Sequence, residues 1–111
     1  MADQSTETPV LDLLATMTAS SLETSQLDGR TLMLVRLAAL VAVDAPPASY
    51  LLNIGAATDA GIDEQAVRDV LAAVAPIVGT ARTVSAMGKM VRALGLALDI
   101  AELEAADAED E

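Results

Sequence analysis

The chain is 53% hydrophobic yet holds one aromatic residue, Tyr50. Its apolar content is 23 Ala, 16 Leu, 10 Val, 5 Met and 4 Ile, with no Phe and no Trp. Ala and Leu lead the helix-propensity scale, while the aromatic strand formers are nearly missing. That balance predicts an all-helical fold, and a length of 111 residues predicts a single domain around a single core.

The residue types that are missing narrow the chemistry. Without Cys there is no disulfide, thiolate nucleophile, redox pair or Cys-ligated zinc. Without His there is no Ser-His-Asp relay, no imidazole acid–base work near neutral pH, and none of the commonest metal ligand. A net charge of -11 argues against nucleic acid, whose phosphates need Lys and Arg. The first eight residues carry two acids and no base, unlike a secretory leader. The longest apolar run, Leu37 to Val43, is far shorter than the roughly 20 residues needed to span a bilayer. A soluble, cytoplasmic protein that does not enter membranes is expected.

Five helices are predicted. After a loose segment over residues 1–8, Thr8 caps a first helix with Pro9 at its first position, running to about Leu22. Asp28 caps the second, with Leu27 stapled onto Leu32. From Leu32 to Val43 only Arg36 is polar, the pattern of a helix buried at the centre of the fold or between subunits. The Asp44-Ala45-Pro46-Pro47 stretch ends it and opens a third helix, which Gly61 closes in a left-handed conformation. Asp63 caps a fourth helix, Ile62 staples onto Val67, and Pro76 with Gly79 is expected to break it. The fifth helix runs from Thr80 past Leu98, with Val84, Met87, Val91, Leu94 and Leu98 as a helix-packing seam. Gly88 and Gly95 on that helix are either merely tolerated or serve close helix–helix approach.

The domain limits are accordingly 1–8, 9–98 and 99–111. The last segment carries seven acids and no base, while the other 98 residues hold ten acids and six bases. Most of the charge is thus a property of this acidic C-terminal tail. Ile100 and Leu103 extend the helix for a turn, and Ala105 to Glu111 has nothing to bury. The tail is either a solubilising appendage or a recognition element for a basic protein partner.

The words Leu27-Asp28-Gly29-Arg30-Thr31, Leu34-Val35-Arg36-Leu37-Ala38, Asn53-Ile54-Gly55-Ala56-Ala57, Ala60-Gly61-Ile62-Asp63-Glu64-Gln65-Ala66-Val67 and Ala75-Pro76-Ile77-Val78-Gly79-Thr80-Ala81-Arg82 follow one another in order. Together they resemble the carboxymuconolactone decarboxylase family, which includes the alkylhydroperoxidase D-like proteins. The resemblance implies an all-helical bundle assembling as a trimeric or hexameric homo-oligomer. A helix apolar on every side, in so short a chain, independently needs neighbours beyond its own core.

The resemblance also implies where the chemistry would sit. Redox members of the family carry Cys-x-x-Cys-x-x-x-His on the third helix and a Glu on the second. Those positions fall on Pro46, Ser49, Asn53 and Met33. Thiol peroxidase chemistry is excluded for want of a thiolate, and the lactone decarboxylase branch loses its His and Glu as proton carriers. The candidate pocket is therefore Met33, Arg36, Ser49, Tyr50 and Asn53, with no catalytic residue supported. Arg36 either neutralises an anionic ligand or makes an intersubunit ion pair with Asp59, Asp63 or Asp69. Asn53 either holds a ligand or is satisfied by backbone, and Tyr50 is either a core or interface aromatic with a wet hydroxyl or, in a residual enzyme, the group that moves the proton.

Asp63-Glu64 is explained by capping and the helix dipole. The tail carboxylates lack the ligand alternation of a calcium loop, and no phosphate-cradling glycine motif precedes a Lys. Nothing in the chain specifies a metal or a cofactor. The expected function is that of a pseudoenzyme, a non-catalytic oligomeric scaffold or binding module. The alternative is a residual lactone decarboxylase or isomerase acting on a small anionic substrate.

Overall fold

The computed structural model describes residues 7–110, with side chains through 106. Five helices follow in order: α1 (Pro9–Thr24), α2 (Gly29–Ala42), α3 (Pro47–Asp59), α4 (Glu64–Val78) and α5 (Thr80–Asp110). Among the described residues there is no strand, and no helix is long and apolar enough to cross a membrane. Residues 1–6 of the expected N-terminal segment lie outside the described residues.

Local chemistry sets the helix boundaries. The Asp28 carboxylate accepts the Thr31 N–H at 2.7 Å, and the Asp63 carboxylate accepts the Ala66 N–H at 2.8 Å. Each thereby satisfies one of the orphan amides of a first turn. The bond from Thr31 holds the Asp28 carboxyl below its ordinary value. Thr8 occupies the N-cap of α1, and its hydroxyl donates to the Asp12 carboxylate at 3.3 Å rather than accepting a backbone amide. Gly61, at φ +81°, closes α3: its N–H reaches Thr58 O while Ile62 N–H reaches Ala57 O. This paired closure is the Schellman motif.

Asp44 closes α2 in the same way, but at φ +56° without being glycine. Its N–H bonds Val41 O and the next, that of Ala45, bonds Leu40 O. The left-handed conformation costs an L-residue about 1 kcal/mol. Three contacts from α5 hold it there. Lys89 Nζ lies 2.8 Å from the carboxylate, Ser85 Oγ donates to the same oxygen at 2.9 Å, and Arg82 donates to Ala42 O at 2.6 Å. Two cations thus sit where the α2 macrodipole is negative. The Lys89 bond, aided by Ser85, holds the Asp44 carboxyl below its ordinary value.

The core is small-grained. Val41, Ala45, Tyr50, Ala86 and Ala93 are buried together, and Val41 is the largest side chain fully enclosed among the described residues. Here α3 packs chiefly on α5, and α2 on α4, with α1 packed on none of them. An Arg36 Nη2 bond to Ser21 Oγ at 3.0 Å ties α1 back to α2.

Several expectations need correction. Pro76 does not break α4, which continues to Val78. A proline this close to a helix end removes one ladder bond, and Gly79 at φ +92° supplies the actual stop. The tail is not free of structure beyond a single turn, because α5 continues through Ala105 to Asp110. The seam Val84, Met87, Val91, Leu94 and Leu98 does not pack within the protomer; all five are exposed. Ala86 and Ala93 are buried on the protomer core instead, with Met90 packed beside them. Gly88 and Gly95 have no neighbour within 4 Å of a would-be Cβ, so no close approach occurs at them within the protomer. On α2, Val35 and Ala39 are exposed, as is the C-cap Val43, so that helix is not buried on every side by its own chain.

A depressed carboxyl stabilises the fold above its unfolded value and ceases to do so as pH falls through its folded value. Asp44→Asn keeps a residue that tolerates the left-handed backbone and removes the charge. It is expected to lower the thermal midpoint at neutral pH. The gap to the unaltered protein should close as pH drops below the ordinary carboxylate value of about 3.9, read by circular dichroism melts.

Candidate functional site

A groove of about 330 Å³ lies among α2, α3, α4 and α5. That lies at the small end of the range for ligand sites. Four helices and a turn build it. From α2 come Met33, Leu37 and Leu40; from α3 come Tyr50, Asn53, Ile54, Ala57 and Thr58. The α3–α4 turn places Ile62 and Asp63 at the rim, and α4 adds Glu64 and Val67. The last wall is α5, through Met90, Val91, Ala93 and Leu94.

The α3–α4 turn, closed by Gly61 at φ +81°, stands at one edge of the groove. Ile62 and Val67, the residues of the expected staple, both line it. Small residues keep it open: Ala57 and Ala93 leave room that larger side chains would fill. The walls are almost wholly apolar.

The polar groups are few, and most are engaged. Asn53 Nδ2 donates to Ser49 O at 2.8 Å, one turn back on its own helix. The Asp63 carboxylate caps α4, and Glu64 pairs with Arg68 at 2.5 Å. Tyr50 is only 4% exposed, so its hydroxyl is not wet as expected, and it has no partner among the described residues. Burial, reinforced by the nearby Asp44 carboxylate, raises the phenol above its ordinary value. A phenol in that state neither gives up nor relays a proton readily near neutral pH.

The sequence-derived site residues separate into two groups. Met33, Tyr50 and Asn53 line the groove. Arg36 and Ser49 are not among its lining residues; the Arg36 guanidinium turns to Ser21 on α1, and Ser49 contributes its backbone oxygen to Asn53. None of Asp59, Asp63 and Asp69 meets Arg36 within the described protomer. Sequence reasoning missed Ile54, Ala57, Ile62, Val67, Met90 and Leu94 as wall residues. The Ile62–Val67 staple was the available clue to where α3 and α4 part. Among the described residues no cluster of three or more carboxylates could hold a metal ion.

Burying an unpartnered hydroxyl costs on the order of 1–3 kcal/mol. Tyr50→Phe removes that hydroxyl and leaves the ring, so it is expected to raise unfolding stability by about 1 kcal/mol in denaturant titrations. A clear loss of stability would mean that the hydroxyl is bonded in solution.

The family model for the carboxymuconolactone decarboxylase family matches residues 9–91. No curated protein and no solved structure matches the chain.

Proposed function

The chain belongs to the carboxymuconolactone decarboxylase family, and we propose that it works as a non-catalytic, homo-oligomeric module whose groove binds a small, largely apolar molecule. The observation that carries this reading is the lack of a proton-transfer pair on the groove wall. Acid–base catalysis needs a group that titrates near the working pH and lies within reach of the substrate. Here the lining offers an amide bonded to its own helix, two carboxylates occupied by capping and ion pairing, the Thr58 hydroxyl, and a phenol pushed upward.

The resemblance supports the same reading. The positions corresponding to the family's thiols, imidazole and carboxylate hold Pro46, Ser49, Asn53 and Met33. None of these replaces the lost chemistry.

The lining also bears on ligand charge. Its ionic groups are Asp63 and Glu64, with no Lys or Arg among them. That favours a neutral ligand over an anion. A residual decarboxylase or isomerase acting on a small anionic substrate would need Arg36 at the groove, and Arg36 is bonded to Ser21.

Homo-oligomerisation is supported by how much apolar surface the protomer leaves uncovered. Ile77 and Leu52 are 85% and 81% exposed, and α1 presents Val10, Leu11, Leu13, Leu14, Met17 and Leu22 to solvent. Exposed apolar patches on this scale mark association surfaces.

Purified protein is expected to show no turnover of hydroperoxide with a dithiol reductant, and none of carboxymuconolactone. It should bind a neutral solvatochromic dye saturably, and Ala57→Trp, which fills the groove, should abolish that binding. Turnover that is lost in Asn53→Ala would overturn the non-catalytic reading.

A further inference from the structure

Of the polar side chains that line the groove, Asn53 and Tyr50 are drawn in from solvent, while Thr58, Asp63 and Glu64 are exposed. The two inner groups differ in what they offer a ligand. The Tyr50 hydroxyl is closed to a water-sized atom, and so to a ligand's oxygen as well. Only its ring is left to the groove. Asn53 is half-buried, and its amide is not fully used.

One hydrogen bond fixes which way that amide is turned. Ser49 O is a carbonyl and can only accept, so the Asn53 atom 2.8 Å from it is Nδ2. Nδ2 and Oδ1 diverge from Cγ. With Nδ2 turned back onto α3, Oδ1 turns off the helix, and it has no partner among the described residues. When an apolar body fills the groove and displaces water, an oxygen left bare on its wall is penalised.

The rest of the lining leans the same way. Asp63 spends one oxygen on the Ala66 N–H and Glu64 one on Arg68, which leaves each a second oxygen that can only accept. Against these stand the Thr58 hydroxyl and the second Nδ2–H of Asn53. No Lys or Arg lines the groove. Acceptors outnumber donors, so a bound molecule is matched when it brings a donor.

We propose that the groove takes a neutral, apolar molecule carrying a hydroxyl, and that Asn53 Oδ1 accepts the hydrogen bond from that hydroxyl. Asn53 then sets the specificity of the site, selecting an alcohol or phenol over a hydrocarbon or ether of the same body. A hydroxyl both gives and takes, so it meets the Asn53 amide's free acceptor and free donor together. An ether brings only an acceptor and leaves Oδ1 bare. A carboxylate does the same and brings a charge that no cation in the lining neutralises.

This inference rests on the groove-binding reading and deepens it by naming the ligand's head group. The probes are 2-naphthol and 2-methoxynaphthalene, which share one apolar body and differ in whether the oxygen carries a proton. Their affinities are read from naphthyl fluorescence and from displacement of the solvatochromic dye. A groove that responds to apolar area alone holds the ether more tightly, because the ether has more of it. The unaltered protein is expected to hold 2-naphthol the more tightly instead, by a factor on the order of 2–10. In Asn53→Leu, a change of similar volume, the ether should bind as before and the preference should turn to the ether. Parity or an ether preference in the unaltered protein, an arm that needs no variant to fold, would overturn the inference and leave the groove reading standing. A 2-naphthol preference that survives in Asn53→Leu, with the helical circular dichroism intact, would also overturn it, since another group would then be the acceptor. Failure of both probes to displace a dye that binds would count against it equally. A dye that does not bind at all would sink the groove reading itself.

Discussion

An alanine-rich helix can bring its backbone close to a neighbour, but it buries little surface in doing so. The contact of α3 with α5 is built on that compromise: Tyr50 is enclosed among Val41, Ala45, Ala86 and Ala93, and no larger side chain than Val41 is fully covered. Hydrophobic stabilisation scales with apolar area removed from water, at about 25 cal/mol per Å². A core of this kind leaves most of the chain's leucines outside it. Everything else in the structure follows from where that remaining surface is placed.

The same compromise shapes the site. Ala86 and Ala93 of α5 pack around Tyr50 of α3 at one side, and the α3–α4 turn closed at Gly61 stands at the groove rim on the other. The groove opens between them. Asp44 works at the closed end, where Lys89, Ser85 and Arg82 of α5 converge on the α2 terminus. These polar contacts fix helix ends, and the groove walls are largely apolar.

How far the sequence could be read depended on whether the signal was local. Asp28, Asp63 and Gly61 act within one turn of chain, and their roles could be read from the residues beside them. Pro76 misled because a proline's effect depends on its distance from the helix end, which Gly79 determines. The α5 seam was visible as periodicity, yet periodicity locates an apolar face without saying what meets it. The alanine stripe at Ala86 and Ala93 packs inward, and the larger residues are left for another surface. Within the site, Met33, Tyr50 and Asn53 lie together because α2 and α3 pack side by side. Arg36 was beyond the reach of such reasoning, since its partner is Ser21, fifteen residues away in the chain. The α4 and α5 walls were equally hidden, because they depend on how the helices diverge in space.

In the proposed assembly, further copies of the chain cover the apolar surface that the protomer's own core cannot. Sedimentation equilibrium of the unaltered protein, over concentrations from low to high micromolar, tests this most directly against a chain mass of 11.4 kDa. A closed assembly of several chains, persisting at the lowest concentration, is the predicted result. A single species at the chain mass across the whole range would contradict it.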